Sequence, residues 1–412
     1  MTQPPTTTPQ PHVPALAPRS LPADALRGLA VLGIFVMNIT AMALPEMAYV
    51  NPTLYGDFSG LNFLAWLLAH LLAELKFITI FSMLFGAGVY WLAESLAQKP
   101  GPLSPAKAHY RRMAILFLFG MAHAYLVWYG DILVSYALAG LLIYPMRRLP
   151  AWALLLIGIA LIACESILYL LLALGIHLLP LDILREIDAA FSPSLQDIQS
   201  EIAAYRSGWL TQMTYRVPTA FYFQVPVFLL WTFWRTLGVM AIGVAIAKTG
   251  GFHGRWPTWL YLACIASALL IGWPLTIGGV LFNNYHNWSA THLFFWGMQF
   301  NYWGSLFVVL AYFAATVLIV RHAPRLLWPL QQTGRMAFTN YLVQSLLGTF
   351  IFYGHGLGHF GSVDRFPLLC MALAIGGAQV IFSILWLSKF PQGPAEFAWR
   401  RLAYGRARST PS

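Results

Sequence analysis

A chain of 412 residues that is 59% hydrophobic and only 9% charged is not a soluble globular domain, since such domains carry about a quarter charged residues. Apolar runs long enough to cross about 30 Å of hydrocarbon recur from end to end, so the fold class is all-α and the chain a polytopic membrane protein. Its net charge of +10 is dispersed over helix ends, which points to membrane topology and a lipid bilayer as partner, with no nucleic acid.

Residues 1–18 (MTQPPTTTPQPHVPALAP) are rich in Pro and Thr and read as a disordered cytoplasmic tail. A single transmembrane domain over 19–406 follows, and 407–412 form a second cytoplasmic tail. Periodicity predicts ten spans: 25–44, 72–93, 112–129, 131–147, 151–179, 219–247, 257–281, 299–320, 335–354 and 367–388. Residues 61–71 are expected to form a helical approach to the second span, and "WYGD" (128–131) a tight turn between the third and fourth. The "AMA" at 41–43 mimics a cleavage site, but a long uncharged tail precedes it, so the first span is expected to be retained.

The basic residues test this map. Of the 24 Lys and Arg, eighteen fall in one alternating set of segments, from Arg19 and Arg27 through Arg147 and Arg148 to Arg408. Four (Arg185, Arg206, Arg216 and Arg365) fall in the other, while Lys76 and Arg235 lie within or beside spans. The asymmetry places both termini in the cytoplasm. The largest outward connection is then 180–218, where "SPSLQDIQSEIAAYRSGW" (192–209) predicts a surface amphipathic helix capped by Ser192 or Ser194.

Polar groups inside hydrocarbon are costly, so each one in a span asks for a reason. In the first span Asp24, Arg27 and Asn38 share a helical face, Asn38 about 16 Å deeper than Arg27. Structurally, they are an interfacial ion pair and an interhelical amide; functionally, they form one wall of a site. In "HLLAELKFITIFSMLFGAG" (70–88), His70 and Glu74 are i,i+4 neighbours and Lys76 follows. They either snorkel to the outer interface or make a proton-handling pair at the mouth of an outward cavity. Ser82 and Gly86 make a small-xxx-small face for a neighbouring helix.

His123 lies in the third span, with Asp131 at its outer turn. Glu165 in the fifth span and Arg235 in the sixth are intramembrane charges that would pair with each other or face a wet cavity. "GRMAFTNYLVQS" (334–345) places Asn340 and Gln344 on one face of the ninth span. His355 and His359 have zinc-helix spacing, yet the four glycines from Gly354 to Gly361 oppose a helix, so no metal is expected. Cys164, Cys264 and Cys370 sit in apolar runs as packing residues.

Together, "DALRGLAVLGIFVMNI" (24–39), "LKFITIFSMLFGAG" (75–88), "WYGDILVSYAL" (128–138), "FWRTLGVMAIG" (233–243) and "GRMAFTNYLVQS" (334–345) resemble the YeiB-like family of bacterial multispan membrane proteins, a domain of unknown function. The likeness covers about 19 to 406 and implies residence in the bacterial plasma (inner) membrane. More distantly, the opening Asp-x-x-Arg-Gly is similar to membrane acyltransferases, including heparan-glucosaminide acetyltransferase. That likeness implies about ten spans and an acyl group passed across the membrane from a cytoplasmic donor such as acyl-coenzyme A. Many of those enzymes carry a His near the position of Asn38. Asn cannot act as a general base, so His70 is the first candidate and His123 the second.

Three functions compete. In a transferase, Asp24 and Arg27 shape the donor entrance, His70 oriented by Glu74 is the base, and Asn38 donates to the oxyanion. In a transporter of a small polar or anionic metabolite, Arg235, Glu165, Asn340 and Gln344 bind the small-molecule substrate. "RGLAVLGIFV" (27–36) and "RTLGVMAIGV" (235–244) agree at five of ten positions, a hint of the repeats such transporters use. In a scaffold, 180–218 contacts a partner. The oligomeric state is not encoded in any of these features.

Overall fold

Ser20 starts the first helix as its sequence dictates. Its Oγ accepts from the Ala23 N–H at 3.4 Å, and Pro22 in the first turn has no N–H to leave unpaired. The helix so begun is α1 (Leu21–Ala43), in a computed structural model that describes residues 20–98 and 103–404. The predicted tails 1–18 and 407–412 lie outside the described residues, as do Arg19, Lys99, Arg406 and Arg408 of the basic set.

After α1 come α2 (Glu46–Val50), α3 (Gly60–Leu72), α4 (Lys76–Gln98), α5 (Pro105–Leu126), α6 (Leu133–Met146) and α7 (Ala151–Gly175). Next are α8 (Leu181–Phe191), α9 (Leu195–Arg206), α10 (Trp209–Tyr222) and α11 (Phe233–Lys248). The chain continues through α12 (Thr258–Ser267), α13 (Trp273–Tyr285), α14 (Ala290–His292) and α15 (Met298–His322). It closes with α16 (Trp328–Arg335), α17 (Ala337–Phe352), α18 (Arg365–Lys389) and α19 (Pro394–Tyr404). The described residues hold no strand.

All ten predicted segments are helical, but they differ in reach. Seven stretches are long and apolar enough to cross a membrane: Leu21–Ala43, Gly60–Gln98, Ala151–Gly175, Trp209–Lys248, Thr258–Tyr285, Ala290–His322 and Arg365–Lys389. Helices α6 and α17 are apolar but only 14 and 16 residues long. At 1.5 Å per residue they extend about 21 and 24 Å. Helix α5 devotes its first turns to Lys107, Arg111 and Arg112.

Two boundaries shift. The second span begins at Lys76, because residues 73–75 break the helix with Leu75 at φ 62°. The sixth begins at Trp209, ten residues early, and takes in Arg216, which the charge count had placed in an outer loop. Arg216 is fully buried, donating to Gln212 Oε1 at 2.7 Å and to the Leu126 carbonyl at 3.2 Å.

Three π-helical stretches, Phe223–Thr232, Ala268–Gly272 and Leu293–Gly297, interrupt the long helices. Pro226 lies within the first, where its missing N–H and its ring both disfavour a regular turn.

Small residues set the closest crossings. Gly86 of α4 faces the Met240 carbonyl, and Gly243 of α11 faces the Met83 carbonyl, so backbone meets backbone reciprocally. Between α1 and α16, Gly28 faces the Leu330 carbonyl and Gly334 faces that of Asp24. These contacts place α1, α4 and α11 at the centre, with α15 to α18 around α1, α6 and α7 around α11, and α5 packed on α6. One end of the bundle gathers Ser20, Phe252, Lys248 and Tyr404 and is called here the terminal end. The opposite, far end gathers Ala43, Glu46, Asn51, Tyr205 and Trp288.

At the far end α9 is the helix expected in 192–209. Ser194 and Asp197 form its capping box, and Ile198 and Tyr205 are its buried residues. It is fastened by Gly354 N–H to the Tyr205 carbonyl, Arg206 Nε to the Phe360 carbonyl, and Glu46 N–H to Glu201 Oε1 at 3.0 Å. Burial pushes the Glu46 and Glu201 carboxyls up to about 7 from 4.5, and at Glu201 the Glu46 charge adds to the rise. The folded protein therefore holds more protons than the unfolded chain between these values. Burial thus favours the protonated carboxyls, and the stability linked to them is full at low pH and is lost as pH rises through about 7. Hydrogen exchange across 195–206, corrected for intrinsic rates, is expected to quicken between about pH 6 and pH 8, and Glu201→Gln to flatten that rise. A flat profile in the unsubstituted protein would show that the pair does not titrate there.

Candidate functional site

The break at 73–75 builds the site. Leu75 in the left-handed region ends one helix and lets α4 start afresh at Lys76, so Glu74 and Lys76 meet different partners. Glu74 Oε2 meets His70 Nδ1, leaving Nε2 of the imidazole without a partner and the ring 14% exposed. Trp66 stacks on that ring at 5.0 Å and is itself wedged edge-on against Phe58 and Trp288. Lys76 does not snorkel. Its ammonium is fully buried, donating to the His70 carbonyl and to Asn301 Oδ1, both at 2.6 Å. The Lys76 side chain thus clamps the end of α3 that carries the imidazole.

A cavity opens beside this junction, lined by Met37 and Thr40 of α1, Tyr49 of α2, Trp66 and Glu74, and Arg365 of α18. Arg365 is 4% exposed. It donates from Nη1 to the Asp57 carbonyl at 3.2 Å and from Nη2 to the Pro52 carbonyl at 2.8 Å, while Nε is buried without a partner. A carboxylate held by an imidazole and a guanidinium with a donor to spare therefore share one far-end cavity. Such a space can seat a polar molecule, orient it by charge, and take a proton from it. Toward the terminal end the Phe77 ring, packed onto Gly33, fills the space along α1.

Behind the junction lies a buried polar cluster. Arg235 donates to the Tyr302 carbonyl (2.9 Å), Thr79 Oγ1 (3.0 Å) and Ser305 Oγ (2.8 Å), with its guanidinium 4.4 Å from the Tyr302 ring centre. Glu165 is close enough to feel this charge, yet among the described residues the two make no direct ion pair. Tyr302 stands between them, its hydroxyl donating to the Ile162 carbonyl at 2.9 Å.

The other sequence candidates occupy separate places. Arg27 Nη1 donates to Asp24 Oδ1 at 2.8 Å, and this pair caps the terminal end of α1, Arg27 remaining 30% exposed. Asn38 is half-buried and, among the described residues, makes no side-chain hydrogen bond. His123 Nδ1 meets Asp131 Oδ1 at 2.9 Å, Asp131 Oδ2 accepts from the Val134 N–H, and His123 Nε2 is buried unpartnered beside the Tyr341 ring. This second histidine–carboxylate pair is sealed, at 2% and 0% exposure, and does not line the far-end cavity. Asn340 donates to Ser383 Oγ and the Thr333 carbonyl, and Gln344 to Gln379 Oε1 and the Val31 carbonyl. Their amide hydrogens tie α17 to α16, α18 and α1.

Three members of the site escaped sequence reasoning. Arg365 was counted as a loop charge, Asn301 lay unremarked in an apolar span, and Tyr49 sat in a connection. Only Arg365 carried a signal, as a cation on the side of the membrane nearly free of them.

Residues 246–406 match the family model described as Protein of unknown function (DUF418). The chain is 28% identical over 391 residues to uncharacterized protein YeiB of Escherichia coli (strain K12), covering 93% of this chain and 96% of that one. It is 29% identical over 410 residues to uncharacterized protein YxaH of Bacillus subtilis (strain 168), covering 92% and 93%. No solved structure matches. Neither the family description nor these names carry a reaction, so the acyltransferase likeness rests on the Asp24-x-x-Arg27-Gly28 motif alone.

Proposed function

We propose that this chain, which belongs to the YeiB-like family of unknown function, is a ten-span bacterial inner-membrane group-transferase with both termini cytoplasmic. The far end is then the outer face, and its cavity is the acceptor site. One observation carries this reading: Glu74, which holds the His70 imidazole, lines a far-end cavity together with Arg365. Arg365 orients a polar acceptor. His70 Nε2 takes the proton from the acceptor hydroxyl or amine as its heteroatom attacks the donor's acyl carbon. The carbon–sulfur bond of an acyl-coenzyme A breaks, and the thiolate leaves to take up a proton. Asn38, with no side-chain bond to surrender, supplies a donor to the carbonyl oxygen. Arg27 meets the phosphates of the donor at the cytoplasmic end. Because Phe77 on Gly33 lies along α1 between these ends, that ring moves when the acyl group passes.

Acetyl-coenzyme A is expected to raise the melting temperature of the purified protein, and Arg27→Ala to remove that shift. Absence of any shift with short- and long-chain acyl donors would count against a coenzyme A donor.

The Phe77 closure favours a second reading, transport of a small polar or anionic metabolite, because a cavity open at one end and shut at the other is half of an alternating pathway. Sealed vesicles that accumulate unmodified solute without consuming a donor would select it.

A further inference from the structure

Away from that cavity, Glu165 lines a second pocket with Tyr169, Trp231, Phe294, Met298 and Tyr302. We propose that this pocket binds a primary ammonium group, as a binding site independent of the transferase reading.

The carboxylate is 2% exposed and Oε2 is buried without a hydrogen-bond partner, although it costs several kcal/mol to leave an ionised carboxylate unpaired. The Tyr302 hydroxyl lies within reach of the carboxylate but donates to the Ile162 carbonyl at 2.9 Å, and Oε2 is left without a partner. Among the described residues, every other lining group but Gln299 is aromatic or a thioether, and no Lys or Arg joins the lining. Arg235 reaches Tyr302 as well, but its two terminal nitrogens donate to Thr79, Ser305 and the Tyr302 carbonyl, and it makes no ion pair with Glu165 among the described residues. An acid among aromatic faces is the complement of an organic cation. The pocket is small, which suits an ammonium head rather than a trimethylated one. Gln299 Oε1, already accepting from Ser166 at 2.6 Å, offers a second lone pair to a group with three N–H donors.

Two of the π-helical stretches supply its rim: Trp231 belongs to Phe223–Thr232 and Phe294 to Leu293–Gly297. Such widened turns are frequent at functional sites, because they swing a side chain out of helical register. The rim residues are half-buried, and Glu165 sits fourteen residues into α7, about 21 Å from its start. That depth is within reach of the far-side leaflet, so the ammonium can belong to a lipid headgroup or to a free amine.

Two arms separate these sources. The full-length protein in phosphatidylglycerol nanodiscs is titrated with ethylammonium and, separately, tetramethylammonium chloride, following the melting temperature. In parallel, native mass spectrometry counts phosphatidylethanolamine retained from mixed phosphatidylethanolamine–phosphatidylglycerol nanodiscs. Ethylammonium stabilisation alone assigns a free amine; phosphatidylethanolamine retention assigns the headgroup. In either arm Glu165→Gln, a neutral isostere, is expected to weaken binding at least about tenfold, and Glu165→Asp to restore part of it. Binding that Glu165→Gln leaves unchanged, tetramethylammonium matching ethylammonium, or no binding in either arm overturns the proposal.

Discussion

His70→Gln is expected to lower group transfer by about 10²- to 10⁴-fold while the melting temperature stays within a few degrees of the unsubstituted protein. Glutamine keeps the size and a polar tip near Glu74, but its amide takes up no proton near neutral pH. Only chemistry that needs a base at this position is then lost. Glu74→Gln is expected to act less severely, since the imidazole remains while its orienting charge goes. Release of free coenzyme A from an acyl donor in the presence of acceptor reads both effects. If His70→Gln turned over normally, the imidazole would be a packing group on Trp66 and the base would lie elsewhere.

Gly243→Leu is expected to prevent the protein from assembling at all. A Cβ at this position would stand 2.0 Å from the Met83 carbonyl oxygen, and the reciprocal position Gly86 would place one 2.2 Å from that of Met240. Backbone of α4 and α11 must separate to admit even a methyl group. That parting also moves Thr79 away from Arg235, which leaves a buried guanidinium without one of its acceptors. A loss beyond about 4 kcal/mol is of the size that abolishes a marginally stable fold. The check is the monodisperse peak on size-exclusion chromatography after detergent extraction, with Gly88→Leu, whose Cβ meets nothing within 4 Å, as the tolerated control. A well-folded Gly243→Leu protein would show that the two helices do not cross this closely.

Helix positions were legible because hydrocarbon leaves the backbone no alternative partner: wherever the chain is apolar for long enough, it must be helical. The His70–Glu74 and Asp24–Arg27 contacts were legible for a local reason, since i,i+4 and i,i+3 spacing places such groups together on any helix. What escaped depends on distant chain. The sequence left open whether Lys76 reached the interface or stayed inside; Asn301, 225 positions away, decides it. Arg365 joins Glu74 through the packing of α18 on α3, and no periodicity records that. Asn340 and Gln344 looked like a binding face because a row of amides inside a span marks an interior surface. Whether that surface meets a ligand or another helix depends on Ser383 and Gln379, which lie on α18.

The transferase proposal has a group taken up at the terminal end and delivered at the far-end cavity by His70. It is tested most directly in proteoliposomes of known orientation, with acetyl-labelled coenzyme A confined to the side of the termini and a mixture of sugar and amine acceptors confined to the other. Labelled acetyl is expected to appear covalently on an acceptor on the far side with the unsubstituted protein, and at background with His70→Gln. Label that remains on coenzyme A in both, or far-side product formed equally by both, would contradict it.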